Sequence, residues 1–231
     1  MRSRDATRAQ PRWATMRDMD ATTVRMPDAE TVEEVLKLAS RAPTFDAVPP
    51  ARWRIGADRL ELLTTRMDPV ALIACGAALH HVRIGLSALG WSCRVHRKPK
   101  GDHLATVFPR WELDPFSNEV ASAAAVSLRR SDARTFSDQE VPISALTWLL
   151  QAAQAEGASL VPVSKGNGVV LSLVAESDDL ALLRGGEALS SVLLAATVWG
   201  LASHVRIDGD AVLIRVGWQW PNAEPLPHSA R

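Results

Sequence analysis

Two stretches of this chain are apolar on almost every side. Residues 72–89 carry polarity only at His80, His81, Arg83 and Ser87, and residues 187–201 are nearly as apolar. A helix without a polar face is buried on most sides, so both segments are expected at the centre of the fold. Gly90 ends the first, and Gly200 interrupts the second near its end. An amphipathic helix precedes each. Thr31-Val-Glu-Glu34 is a capping box, and Val32, Val35, Leu36 and Ala39 follow at helical spacing until Pro43 forbids continuation. Pro142 opens the second amphipathic helix, which runs to about Ala155 and closes near Gly157. Short β-rich runs predict strands at 53–55 and 60–63, turning at Gly56-Ala-Asp58, and at 91–97 and 104–108, a hairpin across Lys98-Pro-Lys-Gly101. Further strands are expected at 169–175 and 211–216. Residues 43–53 are Pro-rich and irregular. Residues 1–28 have no sustained period and read as a tail; Asp5, Asp18 and Asp20 dilute the six arginines that would make it a basic interaction arm.

The pattern occurs twice. Cys75-Gly-Ala-Ala-Leu-His-His-Val82 aligns with Gly185-Gly-Glu-Ala-Leu-Ser-Ser-Val192, and the same register places Gly76, Ala78, Leu79, Val82 and Gly90 on Gly186, Ala188, Leu189, Val192 and Gly200. A buried helix, preceded each time by an amphipathic helix and followed by strands, implies a duplicated unit. Its natural assembly is pseudo-twofold, with the two apolar helices packed together. Residues 29–231 are therefore read as one domain of two pseudo-repeats, 29–126 and 127–231.

Composition narrows the function classes. Apolar residues are 47% and charged residues 23% of a 231-residue chain, the balance of a globular domain with a substantial core. Lys+Arg is 26 and Asp+Glu is 26, which removes the electrostatic case for nucleic acid or an anionic membrane as partner. Cys75 and Cys93 are too few for a disulfide framework or a zinc knuckle. No run reaches 18 uninterrupted apolar residues, and the Arg-rich start lacks the apolar core of a secretory signal, so the cytoplasm is the expected location.

Three segments resemble the Acg-type NAD(P)H nitroreductases, a subgroup of the flavin nitroreductase superfamily. They are Leu72-Ile-Ala-Cys-Gly-Ala-Ala-Leu-His-His-Val-Arg-Ile-Gly-Leu-Ser-Ala-Leu-Gly90, Leu128-Arg-Arg-Ser-Asp-Ala-Arg-Thr-Phe136, and Leu183-Arg-Gly-Gly-Glu-Ala-Leu-Ser-Ser-Val-Leu-Leu-Ala-Ala-Thr-Val-Trp-Gly-Leu201. The likeness spans from about residue 31 to the end. It implies an α+β fold, a fused pseudo-dimer with an antiparallel sheet flanked by helices and two central apolar helices, binding FMN at the junction of its halves. NAD(P)H would be the electron donor and a small molecule the acceptor, in a monomer or a homodimer.

By the same resemblance, Arg129, Arg130, Ser131 and Arg134 would hold the flavin phosphate and ribityl chain, while Pro43 and Thr44, after Ala42, would face the ring from the other half. Arg231, at the end of Pro227-His-Ser-Ala-Arg, would add a phosphate contact. Guanidinium forks suit phosphate oxygens, and a serine hydroxyl can add a hydrogen bond. No catalytic side chain is assigned, because the flavin carries the hydride chemistry. The chain departs from the family at three places. Ala133 replaces a motif arginine, with Arg134 beside it. In Asp46-Ala-Val-Pro-Pro-Ala-Arg-Trp53, Ala47 stands where an asparagine amide would meet the ring. Residues 157–168 are a dozen where the family carries a longer, partly helical insert. The alternatives to an enzyme are therefore a non-catalytic FMN-binding or FMN-sequestering, stress-associated protein, and a structural relic without flavin.

Several residues are given structural roles. His80 and His81 are adjacent, face different sides of a helix and are expected at the pseudo-dimer interface rather than on a metal. His96 and His103 are placed where they can face each other across their hairpin, and are read as surface residues. Glu187 is expected at the start of an apolar helix, complementing its macrodipole, with a catalytic role as the alternative. Gly166-Asn-Gly168 is a turn, and Trp199, Trp218 and Trp220 are core or rim aromatics.

Overall fold

The computed structural model describes residues 26–45, 47–111, 117–166, 168–174, 178–208 and 211–220. The first half runs α1 (Ala29–Ala39), β1 (Ala51–Ile55), β2 (Leu60–Thr64), α2 (Pro69–Ala88), β3 (Trp91–Lys100), β4 (His103–Trp111) and α3 (Ser117–Leu128). The second runs α4 (Ile143–Ala155), β5 (Ser159–Gly166), β6 (Gly168–Val174), α5 (Asp179–Val198), β7 (Ala202–Asp208) and β8 (Ala211–Gly217). The expected antiparallel sheet is realised once in each half: β1-β2-β4-β3 and β5-β6-β8-β7 share one topology.

The duplication is visible in the packing of α2 on α5. A methyl group on Gly76 would overlap the carbonyl oxygen of Leu183, and one on Gly186 would overlap that of Ile73. The two glycines thus let the helix backbones touch, reciprocally. Each half also lends a residue to the other's core: Leu183 packs with Leu72, Leu79 and Leu104, while Ile73 packs with Leu171, Leu189 and Ile214. His80 Nδ1 lies 2.9 Å from Ser190 Oγ, its counterpart 110 residues on. Gly90 (φ 82°) and Gly200 (φ 74°) stop the two helices in the left-handed conformation that glycine adopts freely. By length and composition alone either helix could cross a bilayer, but 83% and 67% of their apolar windows are buried inside the protein, the position of core helices.

Some boundaries differ from the sequence reading. Asp28, not Thr31, caps α1: its carboxylate accepts from the Thr31 amide at 2.8 Å, so the helix starts a turn earlier. The apolar helix expected from 187 begins at Asp179 under an Asp178 cap, with Gly185 and Gly186 in its interior. Part of the 157–168 connection is itself a strand, β5, and the Ala/Ser-rich helix α3 and the strand β7 were not anticipated. His96 pairs with Thr106 and His103 with Lys100 across the β3–β4 hairpin, so these histidines do not face each other. Met26 packs against the first core and Asp28 caps a helix, so the folded region reaches into the expected tail, the rest of which lies outside the described residues.

Candidate functional site

The segment 129–136 leaves the end of α3 and runs along the edge of the second sheet. Ser131 forms a parallel bridge with Ser203, and the Asp132 amide donates to the Ser203 carbonyl at 2.9 Å. Phe136 anchors the segment, fully buried against Gly168 and Gly217, with the Arg215 guanidinium 4.5 Å above its ring. The expected phosphate ligands of this segment separate into two groups, Arg129 and Arg130 before the first anchor and Arg134 between the two.

Arg129 and Arg130 form the first group, joined by Arg41 from the end of α1. Arg41 and Arg130 both donate to the Ser127 carbonyl, at 3.2 and 2.8 Å, and Arg129 donates to the Arg41 carbonyl at 3.4 Å. The carbonyl end of α3 is the negative end of its dipole, and these cations gather just beyond it. Burial, then Arg130 and Arg41, hold the Arg129 guanidinium below its usual range. Among the described residues no carboxylate pairs with any of the three, and the buried Arg129 Nε has no hydrogen-bond partner. Beneath them His81 Nδ1 sits 2.9 Å from the Leu38 carbonyl, and burial pushes its pKa down to about 4.

Arg134 belongs elsewhere. It forms a two-pronged ion pair with buried Asp132, Nε at 2.9 Å and Nη2 at 2.8 Å, and Gln219 donates to the same carboxylate at 2.9 Å. The Arg134 hydrogen bonds bring the Asp132 pKa down to about 2. Arg134 is therefore committed to a carboxylate, whereas Arg129 and Arg130 are not. Ser131 contributes its hydroxyl to His204 Nδ1 at 3.2 Å.

The loop expected to face the ring follows Arg41 directly. Pro43 is buried and Thr44 exposed, and with Ala42, Trp53, Ala74 and Ala78 they line a cleft of about 190 Å³. The structure thus brings Pro43 and Thr44 next to the arginine group through Arg41, as a composite site of two halves requires. The residues at the phosphate end fit an FMN: three guanidiniums without a carboxylate partner among the described residues and one orphaned donor suit an anion. The ring end fits less well, since the cleft is below the roughly 300–1,000 Å³ of ordinary ligand pockets and Ala47 offers no amide. Arg231 lies outside the described residues.

Sequence reasoning missed a second polar cluster, at the interface between halves. Glu187, fully buried, accepts from Arg97 at 2.6 and 2.8 Å and from Arg83 at 3.0 Å. Arg83 also donates to Glu156 at 2.6 Å, and His80 Nε2 stands 3.7 Å from Glu156. Glu187 lies two turns inside α5, so it does not complement a helix terminus as expected; it neutralises two arginines from the other half. The missed partners are 90 and 104 residues away in sequence, with no local signal to connect them.

Two αββαββ units fused about a pair of central helices define the nitroreductase class of α+β fold. The crystal structure of a putative nitroreductase from Thermotoga maritima matches 83% of this chain and 84% of its own, with a TM-score of 0.50 and 12% identity. No family model matches the chain. "Putative NAD(P)H nitroreductase Rv3131" of Mycobacterium tuberculosis is 30% identical over 91% of this chain and 92% of its own length. "Putative NAD(P)H nitroreductase acg" of the same organism is 31% identical over 49% of this chain and 39% of its own. The chain belongs to the NAD(P)H nitroreductase family. The first of these alignments extends over 316 positions, more than the 231 residues here, so the relative carries internal segments that this chain lacks.

Proposed function

We propose that the protein is an FMN-dependent NAD(P)H oxidoreductase of nitroreductase type. One observation carries the reading: Arg129 and Arg130 of the second half converge with Arg41 of the first, without a carboxylate among the described residues, beside the Pro43–Thr44 loop that follows Arg41. Guanidiniums so placed would hold the flavin phosphate, with Ser131 adding a hydroxyl. When bound, the flavin takes up and returns a hydride equivalent, moving electrons from NAD(P)H to a small-molecule acceptor. The chain's own contribution is position. The arginines fix one end of the cofactor, buried Pro43 sets the wall of the cleft, and the α2–α5 crossing holds the two halves in register. No protein acid or base is required. The cytoplasm is the corresponding location.

The narrowness of the cleft beside Pro43 and Thr44, together with alanine at position 47 where the family presents an amide, favours a second reading, a protein that binds FMN but turns over slowly or not at all. Purified protein, titrated with FMN and then reduced anaerobically with NADPH, separates the two. A flavin band near about 450 nm that bleaches on NADPH addition supports the enzyme. A band that stays supports the binder. No band and no binding leave a structural relic and overturn both.

A further inference from the structure

The central crossing has two flanks built from equivalent residues and finished differently. Val35 and Ala39 of α1 occupy the buried positions that Leu149 and Ala153 occupy in α4, so Leu38 corresponds to Ala152 and Arg41 to Ala155. Likewise His81 and Gly85 of α2 correspond to Ser191 and Ala195 of α5. On the α1 flank the space is filled. Leu38 and Val35 press against Gly85, and the His81 ring reaches the Leu38 carbonyl. On the α4 flank three side chains are cut back to Ala152, Ala155 and Ser191. A hollow of about 540 Å³ results, bounded by α2, α3, α4 and α5 and rimmed by the half-exposed Trp148.

We propose that this hollow is a binding site for a small, uncharged, ring-bearing molecule carrying hydrogen-bond-accepting oxygens. Its volume falls within the roughly 300–1,000 Å³ of ordinary ligand pockets. Ile84, Ala121, Ala152, Ala195 and Val198 supply apolar walls, and the Trp148 indole supplies a flat face. Ser122, Gln151 and Ser191 line it with neutral polar groups that make no side-chain hydrogen bond among the described residues. Charge is excluded because the nearby charges are already matched. Arg83 is held by Glu156 and Glu187, and His80, which lines the hollow, has Nδ1 on Ser190 and is kept neutral by burial. A charged ligand would enter without a counter-ion and lose its hydration. The site is separate from the Pro43–Thr44 cleft and does not rest on the flavin reading.

Coumarin, a neutral bicyclic lactone, is the probe, and the Trp148 indole N–H resonance, assigned with Trp148→Phe, is the reporter. Coumarin is expected to shift that resonance saturably. Coumarin-3-carboxylate is expected to bind at least about tenfold more weakly, and Ala152→Leu, which installs the side chain of the filled flank, to weaken coumarin by about tenfold or more. Thermal unfolding of Ala152→Leu checks that it folds; if it does not, Ala155→Met fills the same hollow from the last turn of α4 and is read identically. No saturable shift overturns the proposal, as does equal affinity for the carboxylate or unchanged affinity in the filled variant.

Discussion

Glu187 and Asp132 carry opposite lessons about buried carboxylates. Glu187 joins two arginines of the other half, so its loss strands Arg97 and Arg83 beside an apolar interface. Glu187→Ala should cost about 3–5 kcal/mol, the scale of a buried pair broken on one side, read from urea unfolding. A loss near zero would mean that water reaches the arginines. Asp132 instead secures the edge segment through Arg134 and Gln219, and its pKa is lowered to about 2. A depressed carboxylate stabilises the fold above its unfolded value of about 3.9 and loses that contribution as pH falls towards 2. The stability difference between the wild type and Asp132→Asn should therefore be constant at neutral pH and shrink between about pH 4 and 2. A difference independent of pH there would dissociate Asp132 from the ion pair. The sequence exposed the arginines of this segment as a motif but not their division of labour. Arg130 and Arg134 look alike in a string; a carboxylate two residues away claims one of them, and the carbonyl end of α3 gathers the other.

At the scale of elements, the sequence was most informative where burial is uniform. An apolar helix repeated at a fixed interval, with glycines in register, foretold α2, α5 and their packing. It was least informative where structure depends on partners. α3 has no apolar stripe of its own, and among its described side chains Ala125 and Val126 alone are buried, against Ile84 and Leu194. β5 and β7 are sheet edges with weak alternation. The sequence hides the first two turns of α5 because Gly185-Gly186 resembles a helix boundary, whereas in the fold Gly186 is a point of backbone contact. That contact gives a sharp prediction. Glycine to alanine in a helix ordinarily stabilises by roughly 0.5–1 kcal/mol. At Gly76 and Gly186 the added methyl meets a carbonyl oxygen of the facing helix. Both variants should lose about 1–3 kcal/mol or more, the cost of overpacking a core. Gly85→Ala should be milder, since its nearest neighbour is the movable Cδ1 of Leu38 at 3.1 Å. Thermal midpoints of the three variants give the order, and a stabilised Gly76→Ala would contradict the crossing.

Across the whole molecule the two halves share one topology but differ in detail, and the difference bears on how many cofactors one chain can hold. A pseudo-twofold axis generates two equivalent junctions, but here they are no longer alike. At the first, a stretch from 40 to 50 links α1 to β1 and supplies Pro43 and Thr44; at the second, α4 reaches β5 through 156–158 alone. Arg41, one of the three uncompensated guanidiniums, has Ala155 as its counterpart. Ala74, which lines the cleft beside Pro43, has Arg184, whose side chain lies against Gly157 in the second junction. A guanidinium stands there where the first junction offers only a methyl group. α3 and the arginines behind it lie at the first junction. The proposed FMN should therefore saturate at one per chain, not the two that an unmodified pseudo-dimer would hold. Arg129→Ala should weaken it by about 1.5–3 kcal/mol, the worth of a hydrogen bond to a charged group, while Arg184→Ala should leave both affinity and stoichiometry unchanged. Fluorescence titration of FMN against a known protein concentration measures all three. Two equivalents bound would show that the second junction had kept its function despite the loss of its loop, and an unaffected Arg129→Ala would reduce the arginine group to a cap on α3.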